Sequence, residues 1–177
     1  SINGRETEAE TTSLIKNNMF PSKQPSTLLK VDGATHTFNA MSGVTHRGTS
    51  AALSALIHDE VYAEIIGDGV HVSDDALKLF FKAKPEDKVI LISDALPITY
   101  SDMKETVFAD SKIYYDGDKA TSADGTIAGS TKLLPEIIKI LGKKGMFKPR
   151  FIENTYRYHG LEPMGEIEWD EDFNPRF

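Results

Sequence analysis

The sequence predicts an α/β protein built on parallel βα units, and three observations carry that expectation. Short apolar runs alternate with helix-like spacing three times between residues 33 and 97. Each apolar run leads into a polar group suited to binding or proton transfer: His36, His71 and Asp94. Beyond Pro97 the pattern changes to β-prone stretches split by two Asp-Gly pairs, as an antiparallel hairpin over 112–130 requires.

Residues 7–16, "TEAETTSLIK", have helix-favouring spacing, and Pro21 and Pro25 break the stretch beyond them. Residues 1–30 therefore read as an N-terminal helix and a proline-bearing linker. "GATHTF" (33–38) reads as a first strand, succeeded by a Gly-containing loop and a small-residue helix over 49–58. Residues 61–71 supply a second strand and loop, and 73–84 a helix with Ser73 as N-cap. "KVILISDALP" (88–97) holds the longest apolar run of the chain. A further helix over 131–145 closes at Gly142 or Gly145 with lysines in its last turn. Residues 165–177 hold a last strand and an acidic, proline-interrupted end.

Composition removes several function classes. The chain has 177 residues, 40% hydrophobic and 27% charged, with a net charge of −7. That balance argues against a nucleic-acid partner, which needs a basic face. It leaves room for an anionic small molecule held by a few local donors. With no cysteine, disulfides and thiolate metal ligands are excluded, and any metal site must use His, Asp or Glu. No apolar run approaches the about 20 residues of a membrane span. "SINGRETEAE" does not read as a signal peptide, so a cytoplasmic location is expected.

The strand ends carry the candidate chemistry. In parallel α/β architectures the carboxyl ends of strands form the active-site face. Taken singly, His36 reads as a hydrogen-bonded core histidine, His71 as a loop histidine and Asp94 as a cap. Their recurrence at three corresponding places favours a site into which all three converge.

"GATHTFNAMSGVTHR", "YAEIIGDGVHV", "LISDA" and "ADGTIAGS" resemble, in order, the signature segments of N-acetylglucosamine-6-phosphate deacetylases. The resemblance runs from about residue 33 through 134 and returns weakly in "HGLEPMGEIEWDEDF". It implies an amidohydrolase-superfamily (β/α)8 TIM-type barrel with a small β-sandwich domain. It also implies a homodimer and a divalent metal of zinc or iron type that serves acetamide hydrolysis. By the same resemblance His36 is a metal ligand, and Asn39 with the backbone of Ala40 holds the sugar phosphate. Arg47 reaches that phosphate, in the family from across the dimer interface. His71 binds the substrate amide and polarises its carbonyl. Asp94 takes a proton from the metal-bound water and delivers it to the leaving amine. Ile127, Ala128 and Gly129, with Ser130, match a loop that closes over the substrate.

Departures from the family pattern shape the final expectation. An eight-unit barrel needs about 250 residues, and three clear βα units with a candidate fourth are present. The fold expected is therefore the C-terminal half of such a barrel, with hairpin and terminal-strand elements from the small β domain. In this division 31–145 forms partial barrel units with a hairpin near 112–128, and 146–177 contributes to the small β domain. Residues 1–32 match neither the family's metal-ligand glutamate nor its early histidine strand. The nearest counterpart of a further metal histidine is Arg5, which stays protonated and cannot ligate a cation. His46 reads as part of the loop presenting Arg47, and His58 as a surface histidine at a helix end. His159, beside Tyr156 and Tyr158, reads as a surface or interface cluster, and "EWDEDF" as a solvated end. Half-barrel edges need cover, from a second copy or a companion N-terminal half. The expected function is part of a metal-dependent deacetylase, inactive without the missing half. The alternative is a non-catalytic sugar-phosphate-binding or assembly module.

Overall fold

The computed structural model describes residues 31–176; the helix read at 7–16, the linker and Arg5 lie outside the described residues. These contain helices α1 (Ala51–Ile57), α2 (Asp74–Ala83), α3 (Leu134–Lys143) and α4 (Arg150–His159). The strands are β1 (Gly33–Ala34), β2 (Tyr62–Ile66), β3 (Val89–Ile92), β4 (Glu105–Phe108), β5 (Ser111–Tyr115), β6 (Ala120–Ser122), β7 (Ile127–Gly129), β8 (Glu168–Trp169) and β9 (Pro175–Arg176). The chain divides into two compact units. One takes in the described residues up to Ile65 with Asp75–Leu91 and Pro149–Pro163; the other takes in Ile66–Asp74, Ile92–Lys148 and the residues from Met164.

In the first unit β1 pairs in parallel with β2, Gly33 opposite Tyr62, within a sheet ordered β1-β2-β3. Val61, Ala63 and Ile65 are alternate residues, so they bury one face at β2, with Tyr62 and Glu64 half-buried between them. Ser50 caps α1 by accepting from the Leu53 N–H at 3.1 Å. At the other end of α1 the buried amine of Lys84 donates to the carbonyls of Ala55 and His58, both at 2.7 Å. His58 is thus buried, not on the surface as its helix-end position suggests; it is 6% exposed.

α4 was not legible as a helix in the sequence, because only Phe151 and Asn154 of its residues are buried. Phe151 stacks flat on Phe81 with ring centroids 5.2 Å apart. The Asn154 amide donates to the carbonyls of Glu86 and Val89, both at 2.8 Å. The Tyr158 hydroxyl donates to Asp32 and lies so near Gly33 that a Cβ there would sit 2.6 Å away. Glycine at the start of β1 leaves room for that approach.

β1 is shorter than the six-residue strand read from the sequence. Past Ala34 the backbone turns, with positive φ at His36, Phe38 and Ala40, so His36 stands in a turn beyond the strand.

The second unit holds a four-stranded antiparallel sheet, ordered β4-β5-β6-β7, around Leu96, Ile98, Ile113 and Ala120. Its hairpins turn at the expected Asp-Gly pairs. Asp116 accepts from the Asp118 and Lys119 N–H groups, and Asp124 from Ser122 and Thr126. α3 ends at Lys143 and is closed by Gly145, whose φ of 66° is left-handed, while Gly142 lies inside the helix. β8 and β9 form a short hairpin in which Asp170 accepts from the Asp172 and Asn174 N–H groups. Among the described residues no helix is long and apolar enough to cross a membrane.

Candidate functional site

The turn after β1 holds three of the residues singled out. The His36 N–H faces a Glu64 carboxylate oxygen at 3.3 Å, and the Thr37 N–H donates to the Glu64 carbonyl at 2.8 Å. The Asn39 N–H closes the turn on the His36 carbonyl at 2.9 Å. His36, Phe38 and Ala40 have φ of 34°, 79° and 54°, a region that costs L-residues energy. Such strain persists where surrounding structure enforces it, and it concentrates at functional sites. Nδ1 of His36 is buried without a hydrogen-bond partner among the described residues. Leaving such an atom unpaired costs about 1–3 kcal/mol, so it is a natural point for a ligand. Asn39 is half-buried, and Ala40, His46 and Arg47 are exposed.

A catalytic metal generally needs about three protein ligands. Among the described residues no group of three His, Asp or Glu side chains is placed to hold an ion. His36 alone offers one imidazole, so these residues do not by themselves fit the metal that the resemblance implies.

The second unit gathers His71, Asp94 and the Ile127–Gly129 strand. Two glycines permit the approach. A Cβ on Gly67 would lie 2.6 Å from Leu141, and one on Gly129 would lie 2.8 Å from Leu96 and 3.1 Å from the Asp94 carbonyl. With Gly129 in place, the Ser130 N–H donates to the Asp94 carbonyl and the Ser130 carbonyl accepts from the Leu96 N–H, both at 2.9 Å. Asp94 itself is exposed with φ of 51°, a second strained segment, beyond the end of β3. Ile127 is exposed, Ala128 half-buried and Gly129 buried.

Asp68, not among the residues singled out from the sequence, organises this region. One carboxylate oxygen accepts from the Val70 and His71 N–H groups at 2.9 and 3.0 Å. The other meets His71 Nδ1 at 2.7 Å and accepts from the Ser130 hydroxyl at 2.8 Å. Burial, the largest single influence, opposes ionisation. The bonds from the His71 ring and the two backbone N–H groups together outweigh it and hold the carboxyl well below its usual range. The signal was present in "DGVH": an aspartate with glycine next to it is an Asx-turn signature, which brings Asp68 back onto its own backbone.

No family model matches the chain. Comparison with curated proteins finds 40% identity over 98 residues to an N-acetylglucosamine-6-phosphate deacetylase of Bacillus subtilis, covering 54% of this chain and 24% of that protein. Over 98 residues it is 33% identical to an N-acetylgalactosamine-6-phosphate deacetylase of a Shewanella strain, covering 55% and 25%. This chain resembles amino-sugar-phosphate deacetylases over part of its length. It spans about a quarter of the length of these curated relatives. Among solved structures, an N-acetyl-D-glucosamine-6-phosphate deacetylase of Mycobacterium smegmatis, in complex with N-acetyl-D-glucosamine-6-phosphate, superposes with a TM-score of 0.78. That match covers 96% of this chain and 46% of the solved one, and at 21% identity it shows the fold alone.

Proposed function

We propose that this chain is part of a hydrolase that converts N-acetylglucosamine 6-phosphate to glucosamine 6-phosphate and acetate. One coincidence carries the reading: the deacetylase-like segments fall on the strained turn at 36–40, which itself holds the unpartnered Nδ1 of His36, and on the strained Asp94. Asn39, the backbone of Ala40 and Arg47 hold the phosphate, and the Ile127–Gly129 segment covers the sugar. His71 meets the acetamide. A neutral ring protonated on Nδ1 accepts the amide N–H at Nε2, whereas polarising the carbonyl requires a proton on Nε2 as well. Asp94 accepts a proton from the attacking water and returns it to the amine nitrogen as the C–N bond breaks, so a neutral amine leaves with acetic acid, which releases its proton to solvent as acetate. In this reading the fold continues as half of a (β/α)8 barrel. The remaining ligands of a zinc- or iron-type ion come from a companion half or a second copy.

Titration calorimetry with N-acetylglucosamine 6-phosphate, its galactosamine epimer and the unphosphorylated sugar tests the binding part. Phosphate-dependent binding is expected, weakened about tenfold by Arg47→Ala, as loss of a charged hydrogen bond implies. Equal affinity for sugars with and without phosphate would overturn it. The second reading, a sugar-phosphate-binding or assembly module, rests on His36 offering one imidazole to a metal, and it expects binding that no added metal alters.

A further inference from the structure

Building on the reading of His71 as the group that meets the amide, we infer that Asp68 and Ser130 are positioning residues. They hold the imidazole with its proton on Nδ1 and so assign Nε2 to the ligand. The geometry decides where that proton sits. Asp68 is 3% exposed, and each of its oxygens meets two groups: the Val70 and His71 N–H on one, the His71 ring and the Ser130 hydroxyl on the other. An ionised carboxylate only accepts, so the proton in the 2.7 Å contact belongs to Nδ1.

The order of the three groups also decides what Ser130 does. In a hydrolytic triad the imidazole stands between hydroxyl and carboxylate and can take the serine proton. Here the carboxylate stands between, and the Ser130 hydroxyl donates to Asp68 at 2.8 Å. Ser130 is a joint, not a nucleophile. Its side chain ties to the loop bearing His71, and its backbone ties to the Asp94 and Leu96 segment on either side. A displacement of the Ile127–Gly129 segment is therefore transmitted to both candidate groups.

Long-range nitrogen–proton NMR on the intact chain, at a pH where His71 is neutral, tests the inference without any turnover. A pyrrole-type signal is expected at Nδ1 and a pyridine-type signal at Nε2. Asp68→Asn is the sharper variant. Its amide oxygen stays with the two backbone N–H groups, and its NH2 then donates to Nδ1. The proton is expected to move to Nε2 with the shape preserved, whereas Ser130→Ala is expected to leave it on Nδ1. A neutral His71 protonated on Nε2 in the unaltered chain overturns the inference, whether or not either variant folds. Adding N-acetylglucosamine 6-phosphate separates the two claims. An Nδ1–H ring whose Nε2 signal does not move on addition supports the positioning pair and defeats the substrate reading.

Discussion

Asp68 accepts from the His71 ring, the Ser130 hydroxyl and two backbone N–H groups, so folding stabilises its charged form. Its folded pKa lies below the ordinary 3.8, and linkage fixes the sign. The stabilisation is present above that ordinary value and is lost as pH falls through the depressed one. Stability measured by urea unfolding should therefore fall on acidification in the unaltered chain, and Asp68→Asn should lack that component. Asp68→Ala strands several buried donors and is expected to cost about 3 kcal/mol. Ala40 gives the opposite case. It is exposed at φ of 54°, so Ala40→Gly is expected to raise stability by about 1 kcal/mol in the same measurement. At this scale the sequence showed polar groups at the ends of apolar runs. It could not show that Asp68 and Ser130, 62 residues apart, share a hydrogen bond, because that pairing depends on how β7 approaches the Asp94 segment.

Elements were legible in proportion to their buried apolar content. β2, β3, α2 and α3 present apolar runs or periodic stripes and lie close to where the sequence placed them. β4 was missed because "ETVF" is almost wholly exposed and is held by pairing with β5. β1 was overestimated because its continuation, Thr35 to Phe38, is β-prone in composition but is drawn into the turn at Glu64. The end of α1 offers a test. Burial pushes the Lys84 amine down to about 8, against the opposing pull of Asp59 and Glu60. Between that value and its ordinary 10.5 the unfolded chain binds the proton more tightly, so stability should rise with pH across the window. Unfolding titrations should show the rise in the unaltered chain and lose it in Lys84→Met. Tyr100, pushed up to about 12 chiefly by its hydrogen bond with Glu136, acts oppositely only above about pH 10. In the second unit Gly129→Ala meets Leu96 and the Asp94 carbonyl. Such overpacking is expected to cost about 1–3 kcal/mol.

At the scale of the molecule, the candidate residues are distributed over two units. His36, Asn39, Ala40 and Arg47 belong to one, and His71, Asp94 and Ile127–Gly129 to the other. The segment 161–167 exposes Leu161, Met164 and Ile167, at 60%, 96% and 61%. The proposed supply of ligands from a second copy calls for an assembly larger than one chain. Light scattering at micromolar concentration is expected to give a mass above the 19.6 kDa of one chain; a monomer at all concentrations would count against a shared site. The βα alternation and the motif order made the α/β class and the deacetylase resemblance legible in sequence. Where the rest of a metal set would come from was not legible, because ligand sets are assembled by tertiary contacts between distant segments. Acetate release from N-acetylglucosamine 6-phosphate, assayed with added divalent metal, tests the proposed function most directly. The chain alone should stay at background, addition of the N-terminal half of a full-length relative should bring turnover, and Asp94→Asn should abolish that turnover. Metal-dependent acetate release by the 177-residue chain alone would refute the division of the site.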